Sequence, residues 1–271
     1  MSAPKTPLRP ASYSAVLLLS LPMLAFLILP LVALFLRAPL DDIVAQLQTP
    51  QVRQVVALSF STSLATALVA VVIGTPLSYL LARYRFPLRG ILDTVTGLPI
   101  VLPPAVAGVA LLVAFGRQGV FGSTLAGLGI TVGFTPVAVI MAQTFVAAPL
   151  YIRAAQIGFA AVGTEMVEAA ELDGASQWQV FRHLMVPLAW TALLGGCAMT
   201  WARAIGEFGA TIIFAGNLAG RTQTMPLAIY LGFAFDLNTV LSLSVILVCS
   251  SFFVLFILRG LLKREPIDSV V

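Results

Sequence analysis

Long apolar runs alternate along the chain with short polar intervals, and the intervals hold nearly all the charge. A run of about 20 residues matches the roughly 30 Å of hydrocarbon that a helix crosses at about 1.5 Å per residue. Six spans are predicted, over residues 13–36, 58–81, 95–115, 134–152, 188–215 and 240–258, with five or seven as the neighbouring counts. The first run is too long for a signal-peptide core and no small-residue cleavage site follows it, so it is expected to stay as an anchor. Two weaker stretches fall short of a span. Residues 119–133 are short and glycine-rich and read as a loop, and residues 225–235 suit a re-entrant or interfacial piece.

Composition agrees with lipid as the solvent. Hydrophobic residues make up 59% of the chain and charged ones 10%, against roughly 45–50% and about 25% in soluble domains. The predicted class is an all-α integral membrane protein. Cys197 and Cys249 lie in apolar runs and read as small buried hydrophobes, and His183 is the only histidine. Such a set builds neither a usual zinc site nor a Cys–His nucleophile, so no metal-binding or catalytic residue is expected. The net charge of +4 does not point to nucleic acid, because the basic residues flank the spans and form no stripe with interleaved aromatics.

Those flanking charges predict orientation. Lys5, Arg9, Arg83, Arg85, Arg89, Arg153, Arg182, Arg259, Lys263 and Arg264 fall on one side, and Arg37, Arg53, Arg117 and Arg221 on the other. By the positive-inside rule the richer side, with both termini, is cytoplasmic. Residues 153–187 then form an unusually long cytoplasmic connection between the fourth and fifth spans.

Within that connection stand Glu168, Ala169 and Ala170, then after three residues Gly174, and nine residues later Leu184, Met185, Val186 and Pro187. The local pattern predicts a helix–turn–helix. Residues 165–173 favour helix, Gly174 is suited to a left-handed turn, and Ser176 with Gln179 matches a capping box opening a second helix. Trp178, Phe181 and Leu184 are the candidate apolar knobs for a partner's groove. The competing reading is an amphipathic helix lying on the membrane, but Glu165, Glu168, Glu171 and Asp173 are unfavourable beside an anionic leaflet. The spacing resembles the EAA signature of ABC importer permeases, E-A-A, three residues, G, nine residues, I-x-L-P, with Leu184 and Val186 as mild departures. The resemblance implies a six-helix type I importer transmembrane domain in the bacterial inner membrane, with the motif docking a nucleotide-binding subunit. The only lysines are Lys5 and Lys263, and neither stands in a P-loop, so ATP hydrolysis is expected on a separate chain.

Arg203 and Glu207 lie inside the fifth apolar run, where ionisable groups are costly. At i and i+4 they share a face. Either Arg203 contributes to an anion pathway, or the two form a neutral packing brace. Asn217, Arg221 and Thr222 belong to a polar loop, residues 217–224, that either contacts a substrate-delivering protein or is simply hydrated. Pro99, Pro103 and Pro104 interrupt the third run, as pathway lining or as a packing feature.

The stretches 202–210, 214–217 and 220–230 resemble molybdate permeases, and Phe208-Gly209-Ala210 separates them from the related sulfate permeases, which tend to carry a Tyr-Gly-Ser-like sequence there. The likeness covers residues 55–258. It implies a homodimer with the path between its copies, two ATPase subunits holding ATP and Mg, and an extracellular or periplasmic oxyanion-binding protein. No cofactor is expected in this chain itself. The implied division is residues 1–54 (tail, first helix and external loop), 55–259 (permease domain with coupling segment 163–187) and 260–271 (cytoplasmic tail). Sulfate, thiosulfate and tungstate are the competing substrates. A secondary anion transporter is the competing class, and a membrane enzyme a weaker one.

Overall fold

A computed structural model describes residues 10–38 and 40–262. Lys5, Arg9, Lys263 and Arg264 lie outside the described residues, as does the tail from residue 263 onward. Helix α1 (Pro10–Arg37) and the short α2 (Leu40–Gln48) lead into α3 (Pro50–Arg83). Helices α4 (Arg89–Val101) and α5 (Pro104–Phe115) follow, then the single turn-and-a-half α6 (Gly122–Gly127) and the long α7 (Pro136–Ala161). Beyond α7 come α8 (Thr164–Leu172) and α9 (Gln177–Val180), a π-turn over Phe181–Met185, and α10 (Val186–Ile205). The remaining elements are α11 (Gly209–Phe214), α12 (Met225–Gly232) and α13 (Leu237–Leu262).

Helix starts follow local chemistry. Thr135 precedes Pro136 and its hydroxyl accepts the Ala138 amide at 3.3 Å, joining a side-chain cap to a proline at the first helical position. Thr49 before Pro50 repeats the sequence pattern at the start of α3 without the side-chain bond.

The core is α7 held between α3 and α10. Ala138, Ala142, Ala147, Ala155 and Phe159 of α7 are wholly buried, and so is nearly all of Tyr151. The face of α3 turned to them repeats small residues at helical spacing: Ser59, Thr62, Ser63, Thr66, Ala67, Ala70, Gly74 and Ser78. Small side chains let backbones approach closely where lipid supplies no hydrophobic drive between helices. Thr66 donates to Gln143 Oε1 at 3.1 Å, Ser78 to the Ile152 carbonyl at 3.1 Å, and Thr75 pairs with the Tyr151 hydroxyl at 2.6 Å. Each such cross-helix bond contributes on the order of 0.6 kcal/mol in a membrane.

Among the described residues five helices are long and apolar enough to cross a bilayer, and a sixth span exists only if α4 and α5 are counted together. This corrects the expectation of a single interrupted helix over 95–115, because the two halves meet at 117°. Pro103 and Pro104 stand consecutively at the break and give no amide to the carbonyls four residues before them, whereas Pro99 sits inside α4. The fifth span is also broken: α10 stops at Ile205 and α11 resumes at Gly209, so residues 188–215 are not one helix. Residues 119–133 contain the short α6 instead of loop alone, and residues 225–235 hold the eight-residue α12, too short to cross.

Cys249 departs from its expected burial. It is exposed, in the wall of an apolar groove with Phe60, Trp201 and Phe253, while Cys197 is half-buried. An apolar run fixes the solvent a residue meets in a membrane, not whether protein covers it.

Candidate functional site

The segment between α7 and α10 folds into a compact knuckle. Asp173 caps the C-terminus of α8, and Gly174 takes φ +87 in the left-handed region. The Ala175 amide donates to the Ala170 carbonyl and the Gly174 amide to the Glu171 carbonyl, both at 3.0 Å, which is the Schellman pattern of a helix closed by glycine. Two residues later Ser176 caps α9. Its hydroxyl accepts the Gln179 amide, and Gln179 Oε1 accepts the Ser176 amide at 2.8 Å, completing a capping box.

The second helix of the knuckle does not stop before the membrane. Residues Gln177–Ile205 form one 29-residue element, made continuous by the π-turn in which the Val186 amide donates to the Phe181 carbonyl. Pro187 explains the wide turn, since its ring would clash with the carbonyl four residues back and it has no amide to give. The Phe181 ring contacts Tyr79 of α3 at 5.0 Å between centroids and Phe159 of α7 at 6.1 Å, and Trp178 stacks on its other side at 5.6 Å. Arg83 of α3 adds a bond to the Val162 carbonyl at 3.0 Å, just ahead of α8.

Of the expected knobs, Phe181 and Leu184 therefore pack inward, and Trp178 alone is exposed. Met166 and Leu172 are the further outward apolar residues, with Leu172 at 88% exposure. Their spacing around Ala169 (i, i+3, i+6) marks one helix face and was the available signal. Glu168, Ala169, Gly174 and Pro187 are exposed and Ala170 is half-buried. The knuckle thus presents a rim of Glu165, Glu168, Glu171 and Asp173 around small and apolar side chains.

Arg203 and Glu207 form an ion pair at 2.6 Å across the break between α10 and α11. Glu207 is 1% exposed, and its second oxygen accepts the Ala210 amide at 2.9 Å, one of the free donors that opens α11. Both carboxylate oxygens are thereby occupied.

The three loop residues face different ways. Asn217 is half-buried and donates to the Leu227 carbonyl at 3.3 Å, and Thr222 is wholly buried and accepts the Leu218 amide at 3.0 Å. Arg221 is exposed and lines a cavity of about 310 Å³ with Arg117, at the end of α7 opposite the knuckle. Arg117 entered the sequence reading only as a flanking charge. Among the described residues no group of three or more His, Cys, Asp or Glu could hold a metal.

A membrane bundle with a rigid helical projection between two spans, and with no phosphate-binding loop in its sequence, has the make-up of a transport permease. The chain belongs to the binding-protein-dependent transport system inner membrane component family, whose pattern matches residues 74–265, and is thus a multi-pass membrane protein of the ABC importer permease family. Its fold is similar to that of a bacterial ABC transporter involved in the import of the acidic polysaccharide alginate, with a TM-score of 0.73 at 14% identity over 94% of this chain and 95% of that one. Among curated relatives it is 36% identical over 246 residues to the molybdenum transport system permease protein ModB of Mycobacterium tuberculosis, covering 91% of this chain and 92% of the relative. It is 34% identical over 246 residues to the sulfate transport system permease protein CysT of Escherichia coli, covering 86% and 89%.

Proposed function

We propose that this chain forms the membrane path for molybdate, as a homodimer driven by two separate ATPase subunits and fed by a soluble oxyanion-binding protein. ATP and Mg belong to the ATPase subunits, and this chain performs no chemistry. The supporting observation is the knuckle. Gln177–Ile205 is one element, so a force applied at Trp178 or the acidic rim acts on a transmembrane helix without passing through a flexible link. ATP-driven closure of the motor then tilts the spans outward, and hydrolysis resets them.

In this reading Glu168, Ala169, Ala170, Gly174 and Pro187 couple the motor, and the knuckle faces the cytoplasm with both termini. Glu168 supplies exposed charge and Ala169 a small surface for close approach. Gly174 and Pro187 fix the geometry. Arg203 and Glu207 act as a brace: a guanidinium already paired with a buried carboxylate has little net field left for an anion. Molybdate is favoured over sulfate by the Phe208-Gly209-Ala210 sequence, while likeness to both kinds of permease keeps sulfate as the competitor.

The deciding measurement is ATP-dependent uptake by the reconstituted complex with molybdate, tungstate and sulfate in competition. Molybdate import resistant to excess sulfate is expected. Preference for sulfate overturns the substrate, and uptake without the ATPase overturns the mechanism.

A further inference from the structure

The cavity lined by Arg117 and Arg221 is a polar-rimmed feature that the coupling mechanism does not use. It lies among the end of α5, the short α6 and the turn before α7, on the side of the bundle away from the knuckle. Its wall is built by a chain reversal. The Val120 and Phe121 amides return to the Val113 and Ala114 carbonyls at 2.8 and 2.9 Å, folding the segment after α5 back on its last turn. Gly122 permits that fold, because a Cβ there would stand 2.4 Å from the Gly116 carbonyl oxygen and 2.6 Å from that of Arg117. The opposite wall includes Phe134, whose φ of 60 is left-handed and the single such value for a non-glycine among the described residues. Strain of this kind is retained where the surroundings fix it, and it often accompanies a binding site.

Charge gives the cavity its character. The ion pairs among the described residues are Arg153–Asp93 and Arg203–Glu207, and neither Arg117 nor Arg221 has a carboxylate partner among those residues. Arg117 and Arg221 are both exposed, and two like charges lining one small cavity repel each other unless an anion lies between them. Guanidinium groups present planar forks of donors that match oxyanion oxygens. A space of about 310 Å³ admits a small hydrated ion.

We infer that this cavity is a loading site for a tetrahedral oxyanion dianion, held between Arg117 and Arg221 before it enters the membrane path. The inference rests on the oxyanion reading above. It assigns Arg221 to the substrate itself and gives Arg117 a role of its own. Two cations against a doubly charged anion balance the site, and a monovalent anion leaves it half-neutralised.

The test uses the intact complex of permease and ATPase in lipid nanodiscs, with the soluble binding protein omitted. Equilibrium binding of radiolabelled molybdate and sulfate is measured. Saturable binding of at least one dianion is expected. Arg117→Gln and Arg221→Gln should each weaken it by about tenfold or more, the scale of one lost charge-assisted contact. Arg117→Lys and Arg221→Lys keep the charge and should retain binding within several-fold, which separates lost recognition from misfolding. Arg53→Gln removes an exposed charge outside the cavity and should change nothing. Absence of saturable binding to the wild-type complex, or binding indifferent to both arginines, overturns the loading site. Uptake measured on the same preparation with the binding protein restored separates the two readings. If uptake persists while binding ignores the arginines, the cavity assignment alone falls. If neither molybdate nor sulfate is imported, the transport reading falls.

Discussion

At the scale of single residues, Glu207 combines two duties. It neutralises Arg203 and also receives the amide of Ala210, the second residue of a resumed helix. Glu207→Ala removes both and is expected to cost about 3 kcal/mol, the low end for breaking a buried pair because Arg203 is 35% exposed. Glu207→Gln keeps an acceptor for Ala210 and should cost distinctly less. Thermal unfolding in one detergent compares the three proteins, and equal melting of Glu207→Ala and wild type would remove the brace. Asp236 offers a pH-dependent counterpart at the start of α13. Its carboxylate is held below the ordinary range by the Thr239 hydroxyl, then by the Thr239 and Asn238 amides. A lowered folded value means that its stabilisation is present above the unfolded carboxylate value and lost as pH falls through the folded one. Asp236→Ala should therefore melt earlier than wild type at neutral pH and match it in acid. A gap that stays constant with pH would refute the cap. The i, i+4 spacing of Arg203 and Glu207 was legible in the sequence. The bond to Ala210 was not, because it needs the helix to stop at Gly206.

At the scale of elements, Gly174 is the position where backbone geometry carries the most weight. A β-branched residue is poorly accommodated at its φ of +87. Gly174→Val should leave the bundle's melting point nearly unchanged, since the turn is exposed, yet reduce co-purification of the ATPase several-fold. Gly174→Asn should be milder, because asparagine tolerates the left-handed region. Undiminished co-purification of Gly174→Val would dismiss the knuckle as the docking element. A second junction ties α4 to α7. Arg153 bonds Asp93 Oδ1 at 2.7 Å and the Asp93 carbonyl at 3.1 Å, while Gln156 also donates to Asp93 Oδ1 at 3.1 Å. Both ion-pair partners are over a third exposed, so an Asp93→Asn/Arg153→Gln double-mutant cycle should return a coupling below about 1 kcal/mol. The knuckle's capping box and glycine turn were readable because both are local. The merger of its second helix with the span was not, because Pro187 reads as a stop signal until a π-turn is seen to absorb it.

At the scale of the whole molecule, the first helix stands apart. None of the α1 window over Leu17–Arg37 is buried in this chain, against 44% of the corresponding window in α7. Apolar residues all round a helix call for lipid or protein on every side. In the proposed homodimer the second copy covers part of α1. With Cys197 and Cys249 replaced, Leu19→Cys or Leu29→Cys in one tagged copy, paired with cysteines scanned over the helices of a second, should give cross-links between copies in addition to those that the packing of α1 on α13 allows within one chain. Cross-links confined within single copies would refute that arrangement. The sequence showed six apolar runs of similar weight. Periodicity identified them as spans but could not rank them by burial, since lipid and protein interior look alike to an apolar side chain.

The doubled-back third span has a further outcome. Pro103 and Pro104 leave the Pro99 and Ile100 carbonyls without their usual donors, at a point where Pro104 abuts Gly209 beside the other interrupted helix; a Cβ on Gly209 would stand 2.8 Å from Pro104 Cβ. Hydrocarbon offers such oxygens nothing, so moisture or another chain's donors must reach them. If moisture supplies them, thiol reagents should reach a cysteine placed at Leu102 more readily than one at Val109, and equal labelling would point to another chain's donors.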